Sequence, residues 1–197
     1  MSDPALPRVI LASTSAYRRE LLARLRVPFK AVAPGCDEHQ LPGEPAQALA
    51  RRLAQLKAET VAARHPGSVV IGSDQVAVRG AEILGKPGTA ERCTAQLQQS
   101  SGHEVVFLTA VHVVDGRTGR AESHVDHTVV GFRSLGADEI ARYIAADAPL
   151  DCAGGFKAES LGIGLFDRIE SSDPSALTGL PLIWVSAALR RAGIPVP

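Results

Sequence analysis

Aromatic side chains are scarce in this 197-residue chain: Phe, Trp and Tyr make up 4% of it, with a single Trp. The core must therefore be aliphatic, built from Val, Leu, Ile and Ala. Net charge is missing too, since 21 basic residues balance 21 acidic ones. That excludes a broad basic surface for a nucleic-acid polymer and leaves room only for a local cationic pocket. Cysteine is sparse: Cys36, Cys93 and Cys152 are odd in number and far apart, with no CxxC pair. A disulfide scaffold or zinc ribbon is excluded, and a reduced compartment is expected. Long apolar runs are absent. The longest, Leu180 to Leu189, falls well below the ~20 residues that span a bilayer. The opening Met1-Ser2-Asp3-Pro4 has no basic stretch, and Val9 to Ala12 is too short for a signal-peptide core. The expectation is a soluble cytoplasmic protein with no membrane partner.

What is present is ordinary globular material, 45% apolar and 21% charged, which argues against disorder. The length suits one domain, residues 1–197, made of two lobes. Arg8 to Ala12 reads as a buried strand, followed by a helix to about Arg26 with Leu21, Leu22 and Leu25 on one face. Phe29 to Ala33 predicts a second strand, and Pro45 to Arg64 a helix stopped by His65-Pro66-Gly67. Ser68 to Gly72 is another buried strand, which Gln75 to Arg79 continues or pairs with. A helix over Thr89 to Ser100 precedes two long strands, Val105 to Val114 and Ala121 to Phe132, joined by the hairpin signal Asp115-Gly116-Arg117-Thr118-Gly119. Asp138 to Ala146 is a helix, Ile163 to Ile169 a strand, and Leu182 to Arg191 a closing helix. Mixed strands and helices without repeats give an α/β fold.

Chemistry concentrates at a few points. Ser13, Thr14 and Ser15 follow the first strand and suit a helix N-terminus, where unpaired N–H groups attract anions. At about 100° per residue, Arg18 falls in the middle of the arc defined by Leu21, Leu22 and Leu25. An inward arginine needs an anion, either a ligand or a nearby carboxylate. Lys57 lies inside the apolar face of its helix, four residues from Leu53 and from Val61. It is either a second inward cation or a lysine that snorkels at the edge of the face. Asp74 follows the buried run Val69-Val-Ile-Gly72 and reads as a metal ligand, a general base, or an aspartate in a tight turn. Asp37-Glu38 is an acidic pair suited to a hard cation, or a solvated loop. Lys86, in Leu84-Gly-Lys-Pro87, is a further candidate cation, although no P-loop occurs. His39, His65, His103, His112, His124 and His127 are scattered and read as structural or surface residues. Cys152 has no histidine neighbour in sequence. Anion-binding helix terminus, inward cations and carboxylates together make the chemistry of a phosphate ester bound through Mg²⁺ or Mn²⁺.

The same residues carry a resemblance. Leu11-Ala-Ser-Thr-Ser-x-x-Arg18-x-x-Leu-Leu22, Asp37-Glu38, Lys57-Ala58, Gly72-Ser-Asp-Gln75, Leu84-Gly-Lys-Pro87, Ala153-Gly-Gly-Phe-Lys-Ala-Glu159 and Gly179-Leu-Pro181 occur in this order. From about Val9 to Arg191 the chain resembles the Maf family of nucleoside triphosphate pyrophosphatases. The resemblance implies an elongated, ITPase-like α/β fold: a mixed sheet flanked by helices, in two lobes around a central cleft. It implies cleavage between the α- and β-phosphates, a divalent metal, a role in clearing non-standard nucleotides and, at family level, a homodimer. By position, it makes Asp74 the acceptor that activates water and, with Glu38, a metal ligand. Ser13, Ser15, Arg18, Lys57 and Lys86 would grip the triphosphate.

Tyr17, Gln75 and Glu159 depart from the branch acting on dTTP and UTP and are similar to the branch acting on 7-methyl-GTP. N7-methylation leaves guanine positively charged, which suits an aromatic face and a carboxylate. Tyr17 would stack, Glu159 would accept from the base, and Gln75 would read or orient it. The alternative is that Tyr17 packs at the cleft edge and Glu159 pairs with Lys157. The rival functions are a dTTP/UTP pyrophosphatase of the same family and a nucleotide-binding regulator of division with incidental catalysis.

Overall fold

The computed structural model describes residues 8–197, so the opening Met1 to Pro4 lies outside it. Among the described residues a seven-stranded mixed sheet carries five helices. The chain runs β1 (Val9–Leu11), α1 (Ala16–Ala23), β2 (Phe29–Ala31), α2 (Ala46–Arg64), β3 (Val69–Arg79), β4 (Glu82–Leu84) and α3 (Ala90–Ser100). It continues as β5 (Glu104–Asp115), β6 (Arg120–Phe132), α4 (Ala137–Asp147), β7 (Phe166–Glu170) and α5 (Leu182–Arg191). Strand order is β2-β1-β3-β5-β6-β7, with β4 paired to β3. β1 is parallel to β2 and β3, and the remaining pairs are antiparallel.

The position of the cleft follows from the unequal partners of β3. On one side β5 pairs with β3 from Val69 to Val78. On the other, β1 reaches only Ile71 and β4 begins only at Ala77. Residues 72–76 have no strand beside them there, and the sheet opens. The gap lies beyond the carboxyl ends of parallel strands β1 and β2, where open α/β sheets take ligands.

Strand alternation divides the core. Val69, Ile71 and Ala77 face one side. There Leu21 and Leu22 of α1 pack with Val185 and Leu189 of α5 at one end, and Leu97 of α3 with Ile140 of α4 at the other. Val70 and Val76 face the opposite side, which α2 covers with Leu49, Leu53, Ala58 and Val61. Ala50, Ala54 and Ala58, one turn apart, let α2 approach closely. Gly72 completes the fit, because a Cβ there would stand 2.3 Å from the Ala54 carbonyl oxygen and 2.6 Å from the Ala58 nitrogen.

Local signals place most elements, with four differences. α1 is regular only to Ala23, because Arg24, Leu25 and Arg26 bond back to Leu21, Leu22 and Ala23 in tighter turns and Arg26 takes φ 55°. Gly72 to Arg79 is one continuous strand, so Asp74 lies mid-strand rather than in a turn. The strand expected from Ile163 starts at Phe166. Leu161–Leu165 is a 3₁₀ turn, packed so tightly that a Cβ on Gly162 would lie 2.4 Å from the Lys157 carbonyl oxygen. β4 is a three-residue strand whose charged, exposed start gives little periodic signal.

Gly72→Ala should push α2 off the sheet and lower stability by about 1–3 kcal/mol, as overpacked cores do. The urea midpoint measures this, and a wild-type midpoint would show that the close approach does not matter.

Candidate active site

Ser15 is the N-cap of α1, its Oγ accepting from the Arg18 backbone N–H at 3.4 Å. The Oγ of buried Ser13 accepts from the Ser15 N–H at 3.1 Å. The helix start is therefore ordered by its own hydroxyls. Arg18 turns inward, as the arc predicts, and its Nε donates to the Gly179 carbonyl at 2.9 Å. Burial works against its charge and lowers its pKa, while Asp74 and Glu38 act the other way. The alternative partner, a carboxylate within ion-pair distance, is not what holds it.

Lys57 and Asp74 are 5% and 8% exposed, so their charges need each other. Lys57 Nζ donates to Asp74 Oδ1 at 2.7 Å and lies 2.6 Å from Glu38 Oε2. Lys57 thus reaches inward to two carboxylates instead of snorkelling to solvent. The close seat of α2 on Gly72 makes the first contact. The second depends on the loop before α2, which Arg52 ties down by donating to Glu44 Oε1 at 2.7 Å and to the His39 carbonyl at 2.9 Å. The acidic pair divides: Glu38 lines the cleft, whereas Asp37 faces solvent and bonds His39.

These groups line a cleft of about 730 Å³ together with Thr14, Tyr17, Gln75, Lys86, Asp151, Cys152, Glu159 and Gly179. Every residue expected at the site except Asp37 therefore reaches it. Lys86 is exposed on its rim. Tyr17 faces Cys152 across the cleft, its hydroxyl 3.9 Å from Sγ. Burial raises the pKa of the Tyr17 phenol and pushes the Cys152 thiol up to about 11, so both are neutral near pH 7. Glu159 does not pair with Lys157, whose Nζ donates to the Asp147 carbonyl at 2.7 Å. Gln75 differs from expectation in part. Its Nε2 already donates to Thr109 Oγ1 and to the carbonyls of Ala176 and Leu177 at 2.9–3.0 Å. Only its Oε1 is left for a ligand.

Sequence periodicity gives no sign of the 173–183 segment, which holds the site from behind. Asp173 Oδ1 accepts from the Ser175 N–H at 2.9 Å and Oδ2 from the Ile183 N–H at 2.6 Å, closing the loop onto the start of α5. Inside that loop, Gly179 O accepts from Arg18 and also from Ser73 Oγ at 2.9 Å. Gly179 sits at φ 110°, a conformation that favours glycine. Asp151 and Cys152 carry no local signal either.

Among the described residues no three His, Cys, Asp or Glu side chains form a metal cage. Glu38 and Asp74 nevertheless meet at Lys57 Nζ, each through one oxygen, and their second oxygens, completed by phosphate oxygens, suit Mg²⁺. The donor set therefore fits a cation that arrives with a polyphosphate. A larger hollow, about 1070 Å³, lies at the other end of β1 to β3. None of its lining residues is acidic. Arg64 and Arg117 there already bond the backbone carbonyls of Pro34 and Ala192. Its one candidate base is His65, and no carboxylate stands there to hold a metal beside it.

A family model described as Maf-like protein matches residues 8–192. A protein of Xanthomonas campestris named 7-methyl-GTP pyrophosphatase is 56% identical over 192 residues, covering 98% of this chain and 100% of its own. Proteins of the same name from Albidiferax ferrireducens and Cupriavidus metallidurans are 52% and 49% identical, each covering 98% of its own length and at least 99% of this chain. The solved structure of the Staphylococcus aureus Ham1 protein superposes with a TM-score of 0.53 at 13% identity, covering 93% of this chain and 98% of that one, a likeness of fold. With residues 8–192 matched by the family model and relatives about half identical over nearly the whole length, the chain belongs to the Maf family.

Proposed function

We propose that this protein is a cytoplasmic nucleoside triphosphate pyrophosphatase that hydrolyses 7-methyl-GTP to 7-methyl-GMP and pyrophosphate with the help of Mg²⁺ or Mn²⁺. The observation that carries the reading is the buried Lys57 held between Asp74 and Glu38 on the floor of a nucleotide-sized cleft. The names of the relatives supply the nucleotide, and the chemistry of the cleft suits it.

The residues divide the work. Ser13, Ser15 and the start of α1 offer donors to phosphate oxygens, and Arg18 and Lys86 add positive charge. Asp74 Oδ1 accepts from Lys57, which fixes the carboxylate and leaves Oδ2 to take a proton from water. That water attacks the α-phosphorus, the bond to the bridging oxygen breaks, and pyrophosphate leaves with the electron pair. Arg18, Lys57 and Lys86 receive its charge. A divalent cation on Glu38 and Asp74 would neutralise phosphate charge there. Tyr17 offers its ring to the base, Glu159 accepts from the base's N–H edge, and Gln75 Oε1 is free to orient it.

Pyrophosphate release from GTP, 7-methyl-GTP, dTTP, UTP, CTP and ITP with Mg²⁺ tests the substrate. Preference for 7-methyl-GTP is expected. Preference for dTTP and UTP would place the protein in the other branch, and tight binding without turnover would favour a regulator. Asp74→Asn keeps a polar partner for Lys57 and should fold, yet lose about 10²- to 10⁴-fold in kcat, as for a lost general base. Wild-type kcat in that variant would remove Asp74 from the mechanism. Arg18→Ala should lose about 10- to 100-fold in kcat/KM, the scale of one charge-assisted bond to phosphate. Unchanged kinetics would show that Arg18 serves the fold alone.

A further inference from the structure

The end of the cleft beyond Tyr17 holds a charge that the assignments above leave unused. Asp151 is exposed, lines the cleft, and stands beside Cys152, with Oδ1 3.5 Å from Sγ. The same sulfur is 3.9 Å from the Tyr17 hydroxyl, so the Asp151 carboxylate lies near that hydroxyl and acts on its ionisation. Neither Asp151 nor Glu159 enters an ion pair among the described residues. The lysine nearest in sequence, Lys157, is held away on Asp147. Cys152 and Tyr17 add no charge near pH 7, since burial keeps both protonated.

The cleft is therefore polar along its length. Arg18 and Lys86 line it, and so do two unpaired carboxylates, Asp151 and Glu159, both near enough to Tyr17 and Cys152 to act on their ionisation. A ligand that satisfies both is a polyanion at one end and a cation at the other. An ordinary nucleoside triphosphate meets only half of that description, because its base is neutral. A guanine alkylated on N7 meets all of it, because N7 carries no proton to lose.

We propose that Asp151 is a specificity-determining residue of this cleft, its carboxylate acting with Glu159 to select a nucleotide whose base bears a fixed positive charge over one whose base is neutral. This rests on the pyrophosphatase reading and adds a residue to it. The contribution is electrostatic, through solvent-accessible space, so it needs a charge near the base rather than one exact hydrogen bond. Such contributions are modest and sensitive to salt.

The test compares 7-methyl-GTP with GTP, which differ by one methyl group and one charge. The ratio of kcat/KM for the two nucleotides is measured in the full-length protein and in Asp151→Asn and Asp151→Glu. Asp151→Asn should lower the ratio about fivefold, the upper range for an exposed ion pair, and the deficit should shrink at high salt. Asp151→Glu, which keeps the charge, should hold the ratio. A residue that only supports the fold would lower both substrates together and leave the ratio as it was. An unchanged ratio in Asp151→Asn, or an equal fall in Asp151→Glu, overturns the proposal. The ratio of dissociation constants, taken by calorimetry in EDTA, reads the same selection without turnover. If neither nucleotide is hydrolysed, the pyrophosphatase reading fails, while the binding ratio still decides the role of Asp151.

Discussion

The Lys57 ammonium between Asp74 and Glu38 is the contact around which the rest of the site is arranged. A lysine and an aspartate this buried are costly apart, and removing either would leave a charge in a poorly solvated place. The pair holds only because α2 lies almost against the backbone of β3. That approach needs Ala54 and Ala58 on the helix and the missing side chain at Gly72. Helix packing, strand geometry and catalytic chemistry thus share one small patch of surface. Glu38 joins from a loop that Arg52, on the same helix, holds in place.

A second constraint comes from the opposite face. Ser73 and Gln75 alternate with Asp74 along β3 and point away from α2, toward the 173–183 segment. Three carbonyls of that segment, on Ala176, Leu177 and Gly179, accept from Gln75, Thr109, Ser73 and Arg18. Buried Asp126 anchors its start by accepting from Ser172 Oγ at 2.6 Å, and Asp173 joins it to α5. The gap in the sheet is therefore clasped on one side by a helix and on the other by a carbonyl-rich loop. Groups lining the cleft are fixed before a ligand arrives, which lowers the cost of organising them around one.

What could be read in the sequence was whatever repeats locally. The arc through Leu21, Leu22 and Leu25 turned Arg18 inward, and the Leu53 to Val61 spacing did the same for Lys57. The sheet itself followed from short apolar runs between turn residues. The partners of those cations were not legible, because Arg18 meets a carbonyl 161 positions away and Gln75 meets loops more than 100 positions away. Local patterns also misplaced the start of β7, where a tight 3₁₀ turn replaces apolar strand, and passed over β4. Asp151 and Cys152 reach the cleft only through folding of the turns after α4. Their proximity to Tyr17 is a property of the tertiary structure.

Chemistry and fold meet in the proposal that water attacks the α-phosphorus beside Asp74. Hydrolysis of 7-methyl-GTP in ¹⁸O-labelled water, with both products analysed by mass spectrometry, tests it most directly. The account predicts one labelled oxygen in 7-methyl-GMP and none in pyrophosphate. Label in the pyrophosphate would place the attack on the β-phosphorus and contradict the arrangement derived from Asp74, Lys57 and Arg18.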